Sequence, residues 1–239
     1  MKKTLMTLGV SLFICGSLFA QAPPAAPQKP AEPPQKATAA APAKTETVAV
    51  LQTKLGKIVI RFFPEKAPNH VKNFTSLCKS GFYNGTKFHR VIPNFMIQGG
   101  DPNTKSGDSS TWGTGGFTDK DGKEITLKAE FNDIHHARGI VSMARASDPN
   151  SASSQFFICV ADACYLDRQN TVFGEVVSGM ELVDKIVNAP RDPGDRPKEP
   201  VAIDKALIEK RPVQVPETPP KPDAPAKTEA PAKADAPAK

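Results

Sequence analysis

Through the middle of the chain, apolar and polar residues alternate at a period of two, and twice the spacing changes to that of a helix. Residues 47–53 and 56–63 are β-branched runs separated only by Lys54-Leu55, which predicts a tight hairpin stopped by Pro64. Val71, Phe74, Leu77 and Cys78 then fall at helical spacing, with Pro68 near the start and Gly81 placed to cap the end. Phe88, Arg90 and Ile92 alternate with His89 and Val91 until Pro93-Asn94 breaks the run, and Phe95, Met96 and Gln98 follow on a second short strand. Further strands are expected at 139–145, 155–160 and 171–176. Ser178-Gly179-Met180-Glu181 reads as a capping box before a second helix, whose apolar face is Leu182, Val183, Ile186 and Val187. A last strand is expected near 201–208. Many short strands beside two helices predict a mostly antiparallel, closed sheet with the helices at its ends.

This pattern is interrupted at one internal place and at both ends. Residues 101–127 form a long Gly-, Ser-, Thr- and Asp-rich connection around Gly113-Thr114-Gly115-Gly116, and it holds Trp112, the chain's single tryptophan. A connection of that length inside a compact domain is usually functional or mobile. Lys2-Lys3, the apolar run 5–19 and Ala20 read as a secretory signal at 1–20, too short for a membrane span. Cys15 follows Ile14, where a lipidation site needs a small residue, so a lipid anchor is the lesser expectation. Residues 21–46 and 212–239 are rich in Ala, Pro and Lys, with little apolar bulk to offset chain entropy, and both are expected to be disordered arms. Ala-Pro-Ala-Lys-Thr-Glu occurs at 41–46 and again at 224–229, a unit too short for a structural repeat. The folded domain is therefore placed at 47–211, enough for one well-buried core.

Charge and cysteine content narrow the chemistry. Of the net +6, charge counting leaves +3 in residues 47–211, without a Lys/Arg cluster, so nucleic acid is not expected as a partner. Past the signal remain Cys78, Cys159 and Cys164, whose spacing matches no zinc pattern; they read as small buried hydrophobes, with a Cys159–Cys164 or Cys78-linked disulfide as the alternative. His135-His136 lack accompanying ligand spacing and read as part of a surface loop, while His89 points away from Arg90 by strand alternation and reads as structural. No Ser-His-Asp order or phosphate loop is present. What remains is Arg90 and Gln98 on neighbouring strands beside an apolar floor that includes Phe95 and Met96: a cation at the rim of a greasy pocket.

The stretch from Phe88 to Asp101 (FHRVIPNFMIQGGD), Ser142-Met143-Ala144, Ser154-Gln155-Phe156-Phe157-Ile158 and Val172-Phe173-Gly174 together resemble the cyclophilin-type peptidyl-prolyl cis-trans isomerases, in the family's order across 47–211. The resemblance implies an eight-stranded antiparallel β-barrel closed by a helix at each end. It implies Arg90 as the catalytic arginine, Phe95, Met96, Phe157 and Leu166 as lining of a proline pocket, and Gln98 and Gln155 as polar contacts at the rim. Ala144 falls on the strand along which a substrate peptide lies, and Arg145, Tyr165 and Asn170 complete the implied binding set. Arg145 replaces a frequent asparagine where the contact is made by backbone. Tyr165 and Asn170 replace a frequent tryptophan and histidine, which weakens the expectation of tight binding of cyclosporin, the family's macrocyclic inhibitor. The implied activity needs no cofactor or metal. The expected partners are proline-containing polypeptides, met by a monomer exported to the periplasm. The alternative is a chaperone or scaffold module that binds proline segments and catalyses only incidentally.

Overall fold

A computed structural model describes residues 45–213; the signal segment, nearly all of the 21–46 linker and the tail beyond 213 lie outside the described residues. Strands β1 (Thr45–Thr53) and β2 (Gly56–Phe62) form the expected hairpin, pairing from Thr53 with Gly56 across Lys54-Leu55. They are followed by helix α1 (Pro68–Lys79), β3 (Arg90–Ile92), β4 (Met96–Gly99), β5 (Ile140–Met143), β6 (Phe156–Cys159), β7 (Val172–Ser178), helix α2 (Met180–Val187) and β8 (Lys205–Pro212). Pairing thus begins two residues before 47 and ends one residue after 211.

All eight strands join one antiparallel sheet in the order β3-β4-β6-β5-β7-β2-β1-β8. The closure expected of a barrel is not made by ladder hydrogen bonds: among the described residues no ladder joins β3 to β8, and the hydrogen-bonded sheet is open between them. The chains leading into those edges do touch. Gly85 donates to the Ile203 carbonyl (2.7 Å), Phe88 to that of Val201 (3.0 Å), and Ile203 to that of Thr86 (2.8 Å). These bonds satisfy backbone groups that an open edge would leave to solvent. They also explain why β8 begins at Lys205 and not at 201: residues 201–203 are engaged with 85–88.

Helix α1 ends as its sequence suggests. Gly81 takes φ 73°, its N–H bonds to the Cys78 carbonyl (3.1 Å), and the Phe82 N–H bonds to that of Leu77 (2.9 Å). This is the Schellman arrangement, and it satisfies two carbonyls that the helix leaves open. The capping box at α2 does not form. Ser178 is still in β7, paired with Val59, and the N-cap is Gly179 at φ 96° with no side-chain cap. A Cβ on Gly179 would lie 2.3 Å from the Lys57 carbonyl oxygen, so close strand-to-helix approach sets this turn.

Strand alternation sends Val91, Ile97, Val141, Met143, Phe156 and Ile158 into the main core with Phe74, Phe88 and Phe173. Each buried large apolar side chain there contributes about 1.5–3 kcal/mol. The other face of the same strands carries Arg90 and Ile92, Met96 and Gln98, Phe157 and Cys159, and Ser142, in register across β3, β4, β6 and β5. The core therefore anchors one face of these strands and leaves the other free for chemistry.

Candidate active site

On that second face, Met96, Phe157, Cys159 and Ala163 are buried as a small cluster of their own, packed by Ile92, Phe95, Ala144 and Leu166. Above the cluster opens a cleft of about 350 Å³, lined by Arg90, Phe95, Met96, Gln98, Ala144, Arg145, Phe157, Leu166, Gln169 and Asn170. Arg90 is exposed at the rim and lies directly across the β3–β4 ladder from Gln98. Among the described residues no carboxylate pairs with the Arg90 guanidinium, and no protein acceptor takes its donors.

Gln98 is held by a chain of amides. Its Nε2 donates to Gln155 Oε1 (2.8 Å), and Gln155 Nε2 donates in turn to the carbonyls of Gly113 (3.0 Å) and Gly115 (2.8 Å). One Gln98 N–H is thereby used inside the protein, which fixes the amide and leaves its carbonyl oxygen as a free acceptor beside Arg90. The loop that accepts these bonds is itself fixed by the buried Asp101, whose carboxylate accepts the N–H groups of Asn103 (2.8 Å) and Gly113. The 101–127 connection does not line this cleft but buttresses it through Gln155 and walls the adjoining hollow, with two short 3₁₀ turns at Pro102–Lys105 and Ser109–Thr111.

The floor is supported from beneath. His136 is fully buried, its ring stacked 6.1 Å from that of Phe157, with hydrogen bonds to Asp167 (2.9 Å) and Ser142 Oγ (3.1 Å). Burial lowers its pKa against the opposing pull of Asp167, which favours the neutral ring. The expectation of a surface loop therefore fails for His136, because a polar network inside the fold gives its ring partners. His135 does sit outside, bridging Asp162 (2.6 Å) and Asp167 (2.7 Å). Cys78 and Cys159 are buried free thiols, pushed up to about 12 by desolvation, whereas Cys164 is exposed and unpaired.

Two of the expected contacts sit elsewhere, and one was missed. Gln155 lines an adjoining cleft of about 300 Å³ instead of the first. Tyr165 is 57% exposed, with its ring 5.6 Å from that of Phe95. In the 3₁₀ turn Cys164–Leu166 consecutive side chains diverge by about a third of a turn, so Leu166 points in and Tyr165 out. Gln169 joins the cleft because Arg168 adopts φ 59° and returns the chain to it; a polar loop residue gives no sequence signal of that kind. Arg145 ties the same segment down by donating to the Gln169 carbonyl (2.9 Å), and Asn170 donates to the Met143 carbonyl (3.0 Å).

The site sets one unpaired guanidinium beside an apolar cleft, and no cluster of His, Cys, Asp or Glu that could hold a metal ion is found among the described residues. The sequence model of the family described as "Cyclophilin type peptidyl-prolyl cis-trans isomerase/CLD" matches residues 48–208. The peptidyl-prolyl cis-trans isomerase ppi1 of Schizosaccharomyces pombe is 47% identical over 159 residues, covering 66% of this chain and 96% of that protein. A peptidyl-prolyl cis-trans isomerase of Acinetobacter baylyi is 43% identical over 171 residues, covering 67% and 85%. Among solved structures, a cyclophilin-type isomerase of Cryptosporidium parvum, crystallised in the presence of the dipeptide Ala-Pro, superposes with a TM-score of 0.60 at 32% identity, covering 68% of this chain and 98% of the other. The chain belongs to the cyclophilin-type family, and it is a peptidyl-prolyl cis-trans isomerase (EC 5.2.1.8).

Proposed function

We propose that this enzyme accelerates X–Pro rotation in exported polypeptides by using Arg90 to stabilise the twisted amide over the apolar cleft. In the planar ground state the nitrogen lone pair is delocalised into the carbonyl, and rotation meets a barrier of about 18–20 kcal/mol. As the bond twists, the lone pair returns to nitrogen, which becomes a better acceptor. A permanently charged donor beside it favours the twisted state over both planar ones, as a gain in rate requires. Lowering the barrier by about 4 kcal/mol is roughly a thousandfold. Met96, Phe157 and Leu166 hold the ring while the rest of the peptide turns, and the immobilised Gln98 offers its oxygen to Arg90 or to a substrate N–H. The reaction uses no proton donor, nucleophile or cofactor.

The observation that carries this reading is the unpaired guanidinium at the lip of the cleft, opposite a fixed amide. That the Cryptosporidium parvum structure was determined in the presence of Ala-Pro supports an Ala-Pro unit as substrate here. Export to the periplasm rests on Lys2-Lys3, the apolar run 5–19 and Ala20. A protease-coupled isomerisation assay on an Ala-Pro peptide tests the catalytic part. Turnover by the wild type is expected to fall by about a hundred- to a thousandfold in Arg90→Ala, the range for loss of one preorganised donor. Unchanged turnover overturns the mechanism.

A further inference from the structure

Beside the proline cleft lies a separate cavity of about 230 Å³, lined by His89, Arg90, Gln98, Trp112, Gly113, Gly194 and Arg196. Its polar character is one-sided. Arg90 and Arg196 contribute guanidinium groups, and the Arg196 group lies 5.6 Å from the centre of the Trp112 ring, which also carries the Lys87 ammonium at 4.8 Å. His89 is 95% buried, being only 5% exposed, and its Nε2 has no hydrogen-bond partner; the same is true of the buried Trp112 Nε1. Unpartnered buried nitrogens are costly unless something completes them.

The nearby carboxylates are committed elsewhere. Asp101 is used by the N–H groups of Asn103 and Gly113. Asp192 accepts from the backbone of Gly194 and Arg196, and Asp195 from Arg191. No acidic side chain lines the cavity. What fits two cations and a set of N–H donors is an anion with several acceptor lone pairs. Because Arg90 and Gln98 belong to this cavity and to the proline cleft alike, an occupant would sit next to the bound proline.

We infer that this cavity receives one acidic side chain of the substrate polypeptide, at a fixed position flanking the proline. This deepens the isomerase reading by naming a substrate class: proline segments with Glu or Asp at one neighbouring position. Arg196 and Trp112 select the substrate, and Arg90 serves both the selection and the reaction.

The test is protease-free, measuring cis–trans exchange by NMR on blocked peptides with Ala-Pro at the centre. Glu is compared with Gln at each of the two positions on either side, in salt of about 0.15 M, where diffuse charge effects are screened beyond about 8 Å. One position is expected to favour Glu by about five- to tenfold in kcat/KM, the scale of a single charge-assisted contact. In Arg196→Gln the Glu/Gln ratio at that position falls to near one. The single tryptophan gives a second readout without catalysis, a saturable fluorescence change with the favoured Glu peptide and none with its Gln partner. A ratio near one everywhere, an equal preference at all four positions, or a preference that survives Arg196→Gln overturns the inference while leaving isomerase activity on the neutral peptide intact. If no peptide turns over, the isomerase reading falls instead, and the fluorescence titration still decides whether the acid binds.

Discussion

Arg90 and His89 are adjacent and differ in exposure, one guanidinium exposed at the cleft rim and one imidazole buried behind it, although both reach the smaller cavity beside the cleft. Strand alternation alone predicts that split, and for the same reason Met96 and Gln98 were legible on the face of Arg90, whereas Phe95 lies in the turn that precedes β4. Phe157 depends on a longer chain of register, through Gln98 on β4 and Ser142 on β5, and could be placed from the sequence only by family resemblance. Its truncation makes a clear prediction. Phe157→Ala removes a ring that is 5% exposed and stacked on His136, and should cost about 3–5 kcal/mol in urea denaturation. A cost below about 1 kcal/mol would mean that the small second cluster is not a packed floor. Gln155→Ala removes the acceptor of Gln98 and both donors to the Gly113–Gly115 loop. About a five- to thirtyfold fall in kcat/KM is expected, carried mainly by KM, since hydrogen-bonded positioning is lost and the cation is kept. An unchanged KM would show that the amide chain does not hold the site. Tyr165 and Gln169 were the poorly legible residues, because a 3₁₀ turn and a positive φ at Arg168 decide their directions and neither leaves a hydropathy pattern.

Among the elements, the hairpin through Lys54-Leu55 and the end of α1 at Gly81 follow from local turn chemistry that is written into adjacent residues. The start of α2 does not. Ser178 and Glu181 have the spacing of a capping box, but β2 claims Ser178 as a strand partner and the chain turns at Gly179. A tertiary pairing has overridden a local preference, and a single sequence window cannot reveal that. The prediction is specific to the turn: Gly179→Ala sets a methyl 2.3 Å from the Lys57 carbonyl at φ 96° and should destabilise by about 1–3 kcal/mol. Equal stability in a denaturant titration would contradict the close approach.

For the molecule as a whole, the mostly antiparallel sheet with two helices was legible in the alternating and helical spacings, whereas the open ladder between β3 and β8 could not be read, since alternation says nothing about which strands become edges. A second molecular property is the response to pH, through the network that joins the surface to the floor. His135 is raised above 6.5 by hydrogen bonds to Asp167 and then Asp162, and both carboxyls are held below 3.8 by His135. The histidine's folded pKa exceeds its unfolded one, so its stabilising contribution is complete below 6.5 and is lost as pH rises through the higher value. The carboxylates behave in the opposite sense: their contribution is complete above 3.8 and is lost as pH falls through their depressed values. The stability difference between wild type and His135→Gln should therefore be largest near about pH 5.5 and shrink by about pH 9. A difference that grows with pH would reverse the assignment. The central claim is that a cation stabilises a half-rotated bond above an apolar floor. Its most direct test measures NMR exchange on an Ala-Pro peptide alongside peptide affinity for wild type, Arg90→Lys and Arg90→Ala. Affinity is expected to change by less than about tenfold across the three, while turnover falls partly in the lysine variant, which keeps the charge without the fork, and by about a hundredfold or more in the alanine variant. Turnover that tracks affinity, or that survives in Arg90→Ala, would contradict the account.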